Sequence, residues 1–106
     1  MNNIENMILS LKEKLEEFGA YDIVALNLEK KSTLFKRAII VTGTSSKHVM
    51  SISDRISDFL KEKHAIFTKA EGYDECEWIL MDAGDIIINV FKQETRDKYK
   101  LERLWG

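Results

Sequence analysis

Residues 77–91, EWILMDAGDIIINVF, decide the fold. Two apolar runs, 77–81 and 85–91, flank Ala83-Gly84, and a short glycine-containing break between such runs reads as a β-hairpin. With Ala83 and Gly84 as the turn, Asp82 lies opposite Asp85, Leu80 opposite Ile87, Trp78 opposite Asn89 and Cys76 opposite Phe91. Opposed residues of an antiparallel pair share a face. Ile79, Met81, Ile86, Ile88 and Val90, with Glu77 at the margin, then make one apolar face suited to lie against helices. Trp78, Leu80, Asp82, Asp85, Ile87 and Asn89 make the other, and a covered face rarely carries two aspartates and an asparagine without partners.

Working outward, Ile4, Met7, Ile8, Leu11, Leu15 and Phe18 recur at helical spacing, and Gly19 stands where a helix C-cap would. The stretches 22–28 and 37–42 read as strands, joined by a polar loop over 29–36. Gly43-Thr44-Ser45-Ser46 stops the second strand and supplies N-cap oxygens for a helix bearing Val49, Ile52, Ile56, Phe59 and Leu60. A brief strand over 65–69 and an acidic connection over 71–77, broken at Gly72, lead into the hairpin. Residues 94–105 read as a closing helix anchored by Tyr99, Leu101, Leu104 and Trp105. The order αββαββ(β)α predicts an α/β fold, with a mixed β-sheet and helices packed mainly on one face.

The 106 residues suffice for a single domain, 1–106, with little chain left for a second module. Sixteen basic against 18 acidic residues leave a net charge of −2, which argues against a global grip on nucleic-acid phosphates. No apolar run approaches the length of a membrane span, and a lone cysteine with no signal-type leader fits a cytoplasmic protein.

Motifs for chemistry are sparse. His48 and His64 are sixteen residues apart without zinc-site spacing, and read as solvated surface histidines. Cys76 has no CxxC partner and reads as a small, half-buried residue. The Gly43–Ser46 turn has the strand-to-helix setting of an anion cradle but lacks a phosphate-loop lysine, so N-capping explains it more simply. Asp82 and Asp85 at the hairpin tip are two carboxylates where a resident cation needs more ligands. No cofactor motif is present. Lys30–Arg37 is the one local basic cluster, a solvated loop unless RNA phosphates meet it.

The partly polar hairpin face is the feature that points to function. A tryptophan among apolar and acidic neighbours has the composition of a protein-docking patch. The alternative packs Trp78 under the C-terminal segment, against Tyr99 or Trp105. A docking role predicts that Trp78→Ala costs about 2 kcal/mol or more of partner affinity with little loss of fold stability.

The order and spacing of several blocks resemble one family, the ribosomal silencing factors (Iojap-like, RsfS). The blocks are the Asp22-Ile23-Val24 opening, Gly43-Thr44-Ser45-Ser46 with Val49, Glu71-Gly72 before Glu77-Trp78, and Asp82 with Gly84-Asp85. They continue through Val90-Phe91, Glu94-Thr95-Arg96, and the closing Tyr99, Leu101, Glu102, Leu104 and Trp105, so the resemblance covers nearly the whole chain. It implies a fold related to nucleotidyltransferases and a non-enzymatic role. Such proteins bind large-subunit ribosomal protein fourteen and block joining of the small subunit when nutrients are short. The partner-binding residues would be Trp78 as anchor, Leu80 and Ile87 as apolar surround, Asp82 and Asp85 as acidic contacts, and Asn89 completing the patch. The near-neutral charge allows contact with rRNA at most at the periphery, and a homodimer off the ribosome would cover the patch.

Three positions depart from the family pattern: Asn89 stands where histidine is frequent, Lys36-Arg37 where an acidic–aromatic pair is common, and Asn27 where aspartate is usual. Two other functions compete. A nucleotidyltransferase-like enzyme needs carboxylates paired on strands around a metal, whereas Asp54 and Asp58, the first acids after Gly43, fall on the second helix. A small RNA-binding module would use the Lys30–Arg37 loop and bind with strong salt dependence.

Overall fold

The helical stripe near the N-terminus winds into α1 (Asn3–Glu17) in a computed structural model that describes residues 3–99. Gly19, at φ +82°, releases the chain from that helix, and the Ala20 N–H donates to the Leu15 carbonyl at 2.9 Å. Strands β1 (Tyr21–Asn27) and β2 (Arg37–Gly43) follow, then α2 (Ser46–His64), β3 (Lys69–Glu71), β4 (Trp78–Asp82), β5 (Ile86–Lys92) and α3 (Gln93–Tyr99). The expected α/β order holds with its optional strand present. Of the expected closing helix, Leu101, Leu104, Trp105 and the Tyr99 side chain lie outside the described residues.

The five strands form one mixed sheet in the order β1-β2-β5-β4-β3. Only β2 and β5 run parallel; the other neighbouring pairs are antiparallel. Ile8, Leu11 and Leu15 of α1 and Val49, Ile52, Ile56 and Leu60 of α2 pack onto the sheet with Ile39, Val41, Ile79, Met81, Ile86, Ile88 and Val90. Each such side chain taken from water contributes up to roughly 1.5–3 kcal/mol. The apolar hairpin face lies against the helices, as expected.

Two local expectations are corrected. The strand expected at 65–69 begins instead at Lys69, because Ala65 is the left-handed cap of α2 (φ +55°) and the Ile66 N–H returns to the Leu60 carbonyl. His64 is the last residue of α2.

The hairpin register also differs. Trp78 faces Phe91, Leu80 faces Asn89 and Asp82 faces Ile87, so the turn is Gly84-Asp85, closed by the Ala83 N–H donating to the Ile86 carbonyl at 2.9 Å. Glycine then occupies the first central turn position, where its φ of +83° is free of side-chain strain. Counted against the expected pairing, the partner of each β4 residue moves by two. A shift of two preserves the face of each residue that stays paired. Cys76, expected opposite Phe91 on the second face, instead precedes β4 at φ +55° and packs into the helix-side core, and Asp85 lies in the turn itself.

The second face is less open than a sheet backed by helices on one side suggests. Every residue of β2 and all but Lys92 of β5 are buried, on both sides. Across the second face, Ile40 and Phe91 are covered by Val24, Leu26 and Trp78, while Ala38, Ile87 and Leu28 are covered by Leu26, Phe35 and Leu80. The outer strands thus lay their large side chains inward over the middle. At one end α3 reaches the same face, where Arg96 donates to the Thr42 hydroxyl at 2.7 Å and to the Asp22 carbonyl. Asp22, at φ +50°, lies within a register break of β1.

Candidate functional site: a tryptophan on the second sheet face

Trp78 opens β4, with its ring on the face away from α1 and α2. Its indole stacks on Phe91, centroids 4.9 Å apart and planes inclined by 23°, and its Nε1–H donates to the Asn89 Oδ1 at 3.0 Å. Trp78, Leu80 and Asp82 are half-buried, Asp85 is exposed, and Ile87 and Asn89 are buried beneath them. The six residues expected to form the patch thus lie in two tiers, with four reachable at the surface and two underneath. Trp105 and the Tyr99 side chain, the alternative cover for Trp78, are outside the described residues.

Both tip carboxylates have local roles. Asp82 accepts the Gly84 N–H at 3.0 Å, an Asx-type bond that shapes the turn, and Asp85 lies 3.9 Å from the Lys36 ammonium. Such an exposed pair contributes little to stability.

Sequence reasoning missed a further group beside the indole. Trp78 lines a cleft of about 370 Å³ with Gly72, Asp74, Glu75, Glu77 and Thr95, and a second of about 210 Å³ with Glu71, Gly72 and Leu80. Glu71, Asp74, Glu75 and Glu77 are all exposed. They make an acidic margin beside the indole, while Asp82 and Asp85 lie at the other end of β4, by the hairpin tip. The signal was the run EGYDECE at 71–77, which reads as a connection until Gly72 is seen folding it against β4. A Cβ on Gly72 would stand 2.2 Å from the Trp78 carbonyl oxygen, and its φ is +101°.

The other expected chemical features resolve into structural roles. His48 is not a solvated surface histidine: its Nδ1 accepts the Thr44 N–H at 3.0 Å, which leaves Nε2 to donate to the Phe18 carbonyl at 2.9 Å. It ties the end of α1 to the start of α2. Ser45 caps α2, its Oγ accepting the His48 N–H at 3.1 Å, so the N–H groups of Thr44 and His48 are both engaged within the turn. Cys76 is buried, its Sγ against the Tyr73 carbonyl, and burial pushes its thiol pKa up, away from thiolate reactivity.

Within the basic loop, Arg37 is only 8% exposed and its guanidinium is held by Glu5 and Glu29, hydrogen bonds that raise its pKa further. Its charge is thereby balanced inside the protein. Among the described residues, no group of three or more His, Cys, Asp or Glu side chains is placed to hold a metal ion. Nor is any described helix long and apolar enough to cross a membrane.

Comparison with known proteins accounts for the whole chain. Residues 1–106 match the model of a family described as ribosomal silencing factor during starvation. A ribosomal silencing factor of Chromobacterium violaceum is 37% identical over 89% of this chain and 77% of its own. A crystal structure of a Chromobacterium violaceum protein superposes with a TM-score of 0.92 at 34% identity, covering 99% of this chain and 88% of the other. A mouse protein named for mitochondrial assembly of the large ribosomal subunit is 29% identical over 94% of this chain and 44% of its own length. With the fold, the full-length family match and a relative above 30% identity in agreement, this chain belongs to the ribosomal silencing factor family, which acts at the ribosome to silence translation.

Proposed function

We propose that the protein represses translation by docking on large-subunit ribosomal protein fourteen and sterically preventing the small subunit from joining. The observation that carries this reading is the half-buried Trp78, fixed on the second sheet face and bordered by acidic side chains. An aromatic anchor of large, rigid area is what a binding hot spot uses, and desolvation of its surround makes it count. Leu80 supplies apolar contact beside it, Asp82 and Asp85 supply negative charge, and Ile87 and Asn89 support the patch from below.

Complementary charge against a basic ribosomal protein speeds encounter and fixes orientation more than it adds affinity. Repression by occlusion asks no bond-making of the protein. Large-subunit association agrees with the family and with the name of the mouse relative. In the cytoplasm, away from ribosomes, self-association through the same face would shelter the tryptophan.

The test is a subunit-joining assay with purified ribosomal subunits, read by light scattering. Preincubating large subunits with the wild-type protein should abolish the joining signal, and Trp78→Ala should restore it. Undiminished joining at saturating wild-type protein would refute the reading. The Lys30–Arg37 loop gives the RNA-binding alternative little support, because Arg37 is engaged by Glu5 and Glu29 and Lys36 lies near Asp85.

A further inference from the structure

The buried amide of Asn89 is hard to explain as packing. It is 1% exposed on a strand whose other buried side chains are apolar, and its Nδ2 has no hydrogen-bond partner among the described residues. Burying an amide with an unmet donor is unfavourable, so an aliphatic residue would fill the site at less cost to the fold. What the amide does supply is one oxygen, at 3.0 Å from the Trp78 indole nitrogen. An indole N–H can only donate, so the carboxamide must turn its oxygen toward the ring and its nitrogen away, which is the orientation that leaves Nδ2 unpaired.

The register makes this reach possible. Asn89 faces Leu80 and Phe91 faces Trp78, so the indole covers its direct neighbour Phe91 while its N–H extends diagonally to Asn89. Among the described residues, two restraints act on the ring: the stack fixes its plane and the hydrogen bond fixes its rotation within that plane.

We infer that Asn89 is a positioning residue, which pre-orients Trp78 for its partner without touching the partner. This rests on the docking reading above. A half-exposed tryptophan held in one orientation gives up less freedom on binding than one that samples several rotamers, and the difference appears as affinity. The unpaired Nδ2 is the cost of that arrangement to the free protein.

The test separates the positioning from the partner. In a Trp105→Phe background, Trp78 is the sole tryptophan. Acrylamide quenching and time-resolved anisotropy then report how accessible and mobile its ring is in the free protein. Asn89→Leu should raise the quenching rate about twofold or more and add fast local motion. Asn89→Asp, which keeps an acceptor oxygen for the indole N–H, should return both toward wild type. Thermal unfolding identifies any variant that fails to fold, and Asn89→Ala replaces Asn89→Leu in that event.

With purified ribosomal protein fourteen, Asn89→Leu should weaken binding about tenfold, and no further loss should appear when it is added to Trp78→Ala. Unchanged quenching and anisotropy in both Asn89→Leu and Asn89→Ala would overturn the inference. So would a loss on binding that persists in full in the Trp78→Ala background, since Asn89 would then act directly. Should the wild-type protein not bind ribosomal protein fourteen, the choice of partner fails, while the optical measurement on the free protein still decides the role of Asn89.

Discussion

Trp78 and Phe91 face each other across the β4–β5 pair and stack at 4.9 Å, so the ring offered to a partner is also part of the cover over the sheet. Anchor and core therefore share one side chain. Trp78→Ala should leave the protein folded but lower its unfolding free energy by about 1–2 kcal/mol, because it removes the stack and exposes Phe91. Urea denaturation followed by circular dichroism measures this. The stack gives a size to the little loss of fold stability expected of a docking residue.

Gly72 and Gly84 both take positive φ, yet only one has a neighbour. Gly72→Ala would drive a methyl into the Trp78 carbonyl, while nothing lies within 4 Å of the equivalent position at Gly84. Alanine at 84 should cost about 1 kcal/mol from backbone strain alone, and at 72 about 2–4 kcal/mol. Equal losses in chemical denaturation would contradict the close approach of the acidic connection to β4.

Burial raises the pKa of the Cys76 thiol, and burial with a hydrogen bond to Asp54 raises that of the Tyr73 phenol. In the unfolded chain these groups ionise near about pH 8.5 and 10, so the unfolded state releases protons first. Their contribution is complete below about pH 8 and is lost as pH rises through the folded values. Stability should therefore fall between about pH 8 and 11, and Cys76→Ala should flatten the earlier part of the fall. Denaturant midpoints across that range provide the check.

Arg37 bridges Glu5 of α1 and Glu29 of the loop after β1, with its own side chain 10% exposed and theirs 53% and 51%. Arg37→Met should cost about 1–2 kcal/mol, less than a fully buried pair, because both carboxylates can turn to water once released. A loss of that size confined to low salt would mark a surface pair instead.

How far the sequence reached depended on the range of the forces involved. Alternation along 77–91 assigned both hairpin faces correctly even though the turn was placed one residue early. Side-chain parity is set by the strand itself, while the turn depends on where glycine can use its positive φ. The stripes of α1 and α2 were likewise local signals. What escaped was long-range or conformational. Ala65 as a left-handed cap has no composition signal, His48 gains its partners only when α1 meets α2, and the pairing of Arg37 with Glu5 spans 32 positions. The acidic margin around Trp78 was visible as charge, but its place beside the ring depends on the fold of the chain at Gly72.

The most direct test of the central claim is the affinity of the purified protein for purified ribosomal protein fourteen in RNA-free buffer, by calorimetry. Saturable one-to-one binding is predicted, weakened about 30-fold or more by Trp78→Ala, in line with loss of a 2 kcal/mol hot spot. Asp82→Lys should weaken it as well, most at low salt. Absence of binding by the folded wild-type protein, or binding that Trp78→Ala leaves intact, would contradict the account.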